Sequence, residues 1–237
     1  MVGDANEGNR GPGRRGEPVF LLPPVITVMV AIPIAIVFVR GLLPTQFDVP
    51  IDYLFGFVPD RYILDGGAPI YPGGWGALVW TFLTYALLHD GWSHVLLNSA
   101  MFAALARPVS ARLGTGRFLA FCAAATVAGA VVHLVVAWGS QAPMIGASGT
   151  VSGLLGALLR FVFRSPWAET GGIGDSLREP RVRGAIAALV IMNVVLVFLG
   201  SGPFGGNGGS IAWGAHLGGF LAGFLGYSAF ERRRSGW

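Results

Sequence analysis

The chain has 237 residues, of which only 12% are charged, whereas a soluble domain carries about 25%. Together with a mean hydropathy of +0.63, this composition indicates an integral membrane protein and excludes an ordinary soluble domain. The formal net charge of +4 comes from arginines that lie in clusters, so we expect no nucleic acid partner, which would require a continuous basic surface.

The first 18 residues are rich in glycine and polar residues and contain no apolar run that resembles a signal peptide. Such a composition predicts a disordered tail at 1–18. The next segment, 19–39, is apolar and long enough to remain in the membrane as an anchor. At the other end, the arginines that follow residue 230 predict a basic cytoplasmic tail at 231–237.

Between these tails, uncharged apolar runs approach the roughly 17 to 25 residues that a spanning helix requires. They predict an all-α fold, a bundle of six transmembrane helices within a membrane domain at 19–230. The second run is short, but the spanning helix can continue past Arg107 if the side chain of Arg107 extends its charged end to the membrane–water interface. In chain order the predicted spans are 19–39, 91–106, 118–138, 147–159, 184–200 and 211–230.

The connection between spans 1 and 2, at 43–90, is too long for a simple turn, and loops of this length are usually functional or unstructured. Residues 75–88 within it are apolar and aromatic but too few to cross a bilayer. We therefore predict a membrane-associated element there, interfacial or re-entrant, in the outer leaflet.

The arginines predict the orientation, because basic residues near span ends are retained on the cytoplasmic side. If the N-terminus is inside, fourteen of the sixteen arginines lie in cytoplasmic segments. Only Arg40 and Arg61 then lie outside, both in the first outer connection. Both termini are therefore predicted to be cytoplasmic.

Polar side chains within spans are costly in lipid and often mark function. In this orientation spans 2, 4 and 6 all run from outside to inside, and His94, Ser148 and His216 lie near the start of each. Three helices thus present polar groups at one shallow depth beneath the outer face. Asn98 lies four residues after His94 and so shares its helix face.

Glycines predict that spans 4 and 6 pack closely, because small residues allow helix backbones to approach in lipid. Ser148 would then lie within reach of His216, and a serine with a histidine base is the minimum for nucleophilic catalysis. Backbone N–H groups at the start of span 4, together with His94 and Asn98, would be available to an oxyanion. The glycines concerned are Gly149, Gly153, Gly214, Gly218, Gly219 and Gly223.

None of the twelve acidic residues lies within a span, so the pair would act without a third carboxylate. A structural role remains open for each site residue, because serine, histidine and asparagine also tie helices together. No motif surrounds His133 or Asn193, and we assign both to structure; His89, five residues before His94, is assigned to a boundary or loop-anchoring role.

The motifs HVLLN in span 2, GASG at the start of span 4 and AHLGG at the start of span 6 occur in order. Over 75–227 the chain thereby resembles the rhomboid family of intramembrane serine proteases. The resemblance implies that Ser148 is the nucleophile and His216 the general base, with His94, Asn98 and the Ser148 N–H forming the oxyanion hole. It also implies cleavage of single-pass membrane proteins in or near their transmembrane segment, without metal or cofactor.

Two positions depart from the family pattern. Thr81 follows Trp80 where many members have arginine, which predicts a first loop without an arginine tether. Ser152 lies four residues after Ser148, where many members have an aromatic residue that stacks on the catalytic histidine. Other members have small residues there, so this departure bears on the orientation of His216 and not on the reaction.

Two other function classes are weighed against a protease. A rhomboid-like pseudoprotease would bind membrane helices, but it would be expected to have lost the serine or the histidine. A small transporter would need acidic residues inside the spans. The composition, rich in alanine, glycine and arginine, favours a bacterial plasma membrane.

Overall fold

The computed structural model of the protein describes residues 22–63, 71–164, 170–200 and 212–231. Over these ranges the chain is helical, with a single isolated β-bridge, which confirms the predicted all-α class. The predicted tail at 1–18 and residues 232–237 lie outside the described residues. The helices are α1 (Pro24–Arg40), α2 (Asp48–Phe55), α3 (Gly74–Thr84), α4 (Gly91–Leu113), α5 (Thr115–Val136), α6 (Ser148–Leu159), α7 (Ile173–Arg178), α8 (Pro180–Gly200) and α9 (Trp213–Gly226).

Six of these helices, α1, α4, α5, α6, α8 and α9, coincide with the six apolar runs. In the part of the chain that the structure describes, α5 is long and apolar enough to cross a membrane by itself, while α1 and α6 are apolar but shorter. The number of spans therefore stays a prediction.

Helix α4 is longer than the apolar run that predicted it. It continues through Arg107 and Pro108 to Leu113 and ends at Gly114, whose φ of 72° is a conformation that glycine adopts without steric cost. Three residues of this last part, Val109, Ser110 and Leu113, are buried. The helix continues because its inner end packs into the protein core, a contact that hydropathy along the chain does not detect.

The centre of the fold is the contact of α6 with α9, on which α5 also packs. A side chain on Gly219 or Gly223 would collide with the backbone of Gly149 or Gly153. The predicted glycine contact between spans 4 and 6 is therefore present. The other pair of glycines faces α5: a Cβ on Gly218 would collide with the carbonyl of an α5 residue, Ala128, and Gly214 packs on His133.

The first outer connection is ordered over its described residues. The apolar segment at 75–88 forms α3 followed by a 3₁₀ turn, Tyr85–Leu87, and α2 precedes it. Phe57 pairs with Met144 through two backbone hydrogen bonds, from Phe57 N to Met144 O at 3.0 Å and from Met144 N to Phe57 O at 2.8 Å. This connection therefore contacts the segment that leads into α6.

The expectation of a first loop without an arginine tether is wrong. Arg61, only 1% exposed, donates from Nη1 to Pro72 O at 2.7 Å and from Nη2 to Tyr53 O, so its guanidinium joins two distant parts of the loop. Thr81, at the position of the family arginine, is buried and donates to Ala77 O. The family pattern at position 81 did not indicate this tether, because Arg61 lies 20 residues earlier in the sequence.

Candidate active site

The segment before α6 is held by three residues of the connection between α1 and α4. It leads into Ser148, the first residue of α6. Gly146, with φ of 116°, donates its N–H to Tyr85 O at 3.0 Å. Ala147 donates its N–H to His89 Nε2 at 3.3 Å. Together with the Phe57 bridge, these bonds fix the backbone that positions Ser148.

The structure brings Ser148 and His216 into direct contact. Ser148 Oγ lies 2.8 Å from His216 Nε2, and His216 is 8% exposed. The contact follows from helix packing, because the two residues lie at or near the starts of α6 and α9. The glycines that follow them in each helix, such as Gly149 and Gly219, allow those helices to touch. A serine hydroxyl at this distance can donate its proton to an unprotonated imidazole nitrogen.

The other imidazole nitrogen also has a partner. His216 Nδ1 lies 2.8 Å from Asn193 Oδ1, and Asn193 Nδ2 donates to Leu189 O at 2.8 Å. Sequence reasoning assigned Asn193 to structure and did not connect it with His216. The signal was present, because Asn193 is the one polar side chain in 184–200, and polar residues within a span are functional candidates by default.

His94 lies beside the backbone that precedes Ser148. Its Nδ1 accepts the Asp90 N–H at 3.4 Å, and a Cβ on Gly146 would lie 2.9 Å from its Nε2. Only glycine therefore leaves room for the imidazole here. An Nδ1 that accepts leaves the ring proton of the neutral imidazole on Nε2, which lies beside Gly146, two residues before Ser148.

Asn98 is buried one turn further along α4. Its Nδ2 donates to His94 O at 3.1 Å, and its side chain lines a cavity of about 260 Å³ that Ala147 and Thr150 also line. The side-chain hydrogen bonds that the structure describes for His94 and Asn98 are with α4 itself and with Asp90, the residue just before it. Catalytic hydrogen bonds often form only when substrate is bound.

The first turn of α6 has no side-chain cap. Its N-cap residue, Ala147, makes no side-chain hydrogen bond to the first turn. The N–H groups of the first turn are the ones that a helix leaves without an internal partner. They carry the positive end of the helix dipole, and Ser148 is the first residue of this turn.

Two further histidines lie close to these groups. His89 contacts His94 with ring centroids 4.9 Å apart and supports Ala147 as described above. His133 on α5 is 7% exposed and packs behind Gly214, where a Cβ would lie 3.0 Å from His133 Cα. A structural role for both stays our prediction.

Residues 77–232 match the family model described as the Rhomboid domain, which is more than half of the chain. The chain belongs to the rhomboid family. Rhomboid proteins are integral membrane proteins, in agreement with the composition of this chain.

Two curated proteins are similar to this rhomboid. It is 29% identical over 157 residues to the rhomboid protease GluP of Bacillus subtilis, a match that covers 66% of this chain and 27% of GluP. It is 32% identical over 147 residues to the rhomboid protease GlpG of Pectobacterium atrosepticum, a match that covers 62% of this chain and 47% of GlpG. The chain thus spans less than half the length of either relative.

Proposed function

We propose that this rhomboid is an intramembrane serine endopeptidase that cleaves single-pass membrane proteins in or near their transmembrane segment. The observation that carries the proposal is the 2.8 Å contact between Ser148 Oγ and His216 Nε2 at the start of a helix. The names of the two relatives, both rhomboid proteases, support it. The reaction class is acyl transfer to water.

In the first half of the reaction, His216 Nε2 takes the proton of the Ser148 hydroxyl as Oγ attacks the carbonyl carbon of the scissile bond. The carbonyl π electrons move to its oxygen, which becomes the oxyanion of a tetrahedral intermediate. This oxyanion accepts hydrogen bonds from the Ser148 N–H, His94 Nε2 and Asn98 Nδ2. The intermediate collapses, the C–N bond breaks, and His216 returns the proton to the departing amine.

In the second half, water attacks the acyl-enzyme. His216 Nε2 accepts a proton from that water, a second tetrahedral intermediate forms, and the bond to Ser148 Oγ breaks. The same proton then passes to Oγ. The new carboxylic acid leaves, and the serine and the neutral imidazole are restored.

The proposed membrane arrangement provides water for this step. We propose six spans, with the basic tails and both termini on the cytoplasmic side of a bacterial plasma membrane. Helix α6 has 12 residues and is about 18 Å long, so it does not cross the bilayer core of about 30 Å by itself. If its inner end lies near the cytoplasmic face, Ser148 lies within the outer half of the membrane, near the external water.

Reconstitution of the full chain in phosphatidylethanolamine and phosphatidylglycerol liposomes tests this function, with a fluorescent single-pass protein as substrate. We expect wild type to release two fragments, Ser148→Ala to release none, and Ser152→Ala, a buried serine one turn along the same helix, to remain active. Equal cleavage by wild type and Ser148→Ala would refute the proposal. Tight binding of the single-pass protein by an inert wild type would favour the pseudoprotease alternative.

A further inference from the structure

Asn193 contacts the side of His216 that faces away from Ser148. The imidazole lies between the two residues, with 2.8 Å from Nδ1 to Asn193 Oδ1 and 2.8 Å from Nε2 to Ser148 Oγ. The three side chains come from α8, α9 and α6. We propose that Asn193 is a positioning residue that holds His216 in the tautomer and orientation in which it can act as a base, an inference that rests on the proposed function.

The hydrogen bonds of Asn193 define the tautomer. An amide nitrogen can only donate and a carbonyl oxygen can only accept, so the 2.8 Å contact with Leu189 O identifies the Asn193 atom there as Nδ2. The atom that faces His216 is therefore Oδ1, an acceptor. His216 Nδ1 must then carry the ring proton, which leaves Nε2 free to accept the proton of Ser148.

Asn193 lies on the side of α8 that faces the protein core. The buried side of this helix packs on α6 and α9 through a stripe at helical spacing that includes Val182, Ile186 and Leu189. Asn193 is four residues further along, so it continues the same face. The opposite side of α8 is apolar and exposed, with Val190 at 56%, Ile191 at 62% and Val194 at 49%.

A neutral partner suits a site within a membrane. The described spans contain no carboxylate next to His216, and an ionised one there would be costly to bury. The Asn193 carbonyl accepts a hydrogen bond without bringing a charge, and its dipole stabilises the imidazolium that forms with the tetrahedral intermediate. Asn193 thus acts on the reaction through His216 and does not touch the reacting atoms.

Asn193→Leu, which retains approximate size and loses the acceptor, tests the proposal. We expect kcat and the rate constant of fluorophosphonate labelling to fall about 10²-fold, as for other small misplacements of a catalytic group, with KM little changed. Asn193→Asp, protonated in this buried position, keeps an acceptor of the same shape and should recover most of the loss. Val194→Ala, on the exposed side of α8, is the matched control and should retain wild-type rates.

Two further readouts separate positioning from a structural role. In a His216→Ala background, Asn193→Leu should cause no additional loss of labelling, since residues that act as one unit are not additive. Nitrogen-15 NMR of histidine-labelled protein, with His216 assigned by difference from His216→Ala, should show Nδ1 protonated in wild type. In Asn193→Leu the proton should shift to Nε2 in part of the population.

The outcomes distinguish this inference from the proposed function. Wild-type protein that neither cleaves nor labels refutes the proposed function, and the tautomer measured by NMR still decides the role of Asn193. If Asn193→Leu cleaves at the wild-type rate, or if His216 carries its proton on Nε2 in wild type, the inference is wrong. If the leucine variant does not fold, Asn193→Ser, with a shorter side chain, replaces it in the same comparisons.

Discussion

At the scale of single residues, the candidate site is a chain of neutral groups. Asn193, His216 and Ser148 are linked by hydrogen bonds of 2.8 Å, and in the proposed resting state none of them carries a charge. In the proposed reaction, charge appears only as the imidazolium and the oxyanion form, opposite in sign and close together. A buried environment stabilises such a pair through its fixed donors and dipoles more effectively than water does.

Asn98 is the residue for which the proposed oxyanion role is most easily measured. Because its amide would meet the oxyanion only in the tetrahedral intermediate, Asn98→Ala should lower kcat by about 10² to 10³ and leave KM little changed. The neighbouring Ser99, which lines the same cavity, provides the control Ser99→Ala. A normal kcat in Asn98→Ala would return Asn98 to a structural role that ties α4 together.

At the scale of elements, glycine-mediated packing positions the site. The α6–α9 contact depends on backbone approaching backbone, and His216 is three residues before Gly219 on the same helix. Any change that separates the two helices also separates Nε2 from Oγ. Stability and activity are therefore coupled in this contact.

Gly219→Ala should lower the thermal midpoint in detergent and slow cleavage, because its Cβ would collide with the Gly149 carbonyl. We expect a loss of about 1 to 3 kcal/mol, typical of overpacking. Gly226→Ala in the same helix meets nothing within 4 Å and should leave the midpoint equal or slightly higher. If both variants unfold at the wild-type temperature, the close contact is not what holds α6 and α9 together.

The outer connection depends on Arg61 in a comparable way. Arg61→Met leaves the carbonyls of Tyr53 and Pro72 without their donor, which should cost about 1 to 3 kcal/mol of unfolding free energy. Arg178→Met removes an exposed arginine paired with Asp175 and should change the free energy by about 0.5 kcal/mol or less. Equal effects of the two substitutions, measured by chemical denaturation, would show that Arg61 does not hold the loop.

Helix identity and the glycine contact could be predicted because they depend on patterns along the chain. Apolar runs mark the helices, and glycines four residues apart mark a helix face. The partner of His216 could not be predicted in this way, because it depends on which side of α8 faces α9. Apolar residues lie on nearly every side of α8, so the sequence does not define that side. The Arg61 tether likewise joins residues that only the folded loop brings together.

At the scale of the whole molecule, the site and most arginines of the described residues lie at opposite ends of the helices, Arg40 and Arg61 being the exceptions. The site end contains Ser148, the Phe57 bridge and Tyr85. At the other end, Arg160 donates from Nη2 to Gly171 O and from Nη1 to Phe224 O, and Arg112 lies 3.8 Å from Glu231. This polarity supports the proposed orientation, with the arginine end on the cytoplasmic side.

Reporter fusions test the orientation. Fusions after residue 237 and within 165–183 should report a cytoplasmic location, and fusions within 48–74 and 202–209 should report the outside. The described structure does not cover 202–209, so the fusion there is an independent measurement. A C-terminal fusion that reports the outside would overturn the orientation and the access of the site to external water.

Covalent labelling of the folded protein measures whether Ser148 is a nucleophile activated by His216. Treatment with a fluorophosphonate at neutral pH, followed by peptide mapping by mass spectrometry, should place one adduct on Ser148, because only an activated serine reacts at an appreciable rate. His216→Ala should reduce the adduct to near background while Ser152→Ala leaves it unchanged. An unmodified Ser148 in folded wild-type protein, or equal labelling in His216→Ala, would show that His216 does not activate Ser148 as a nucleophile.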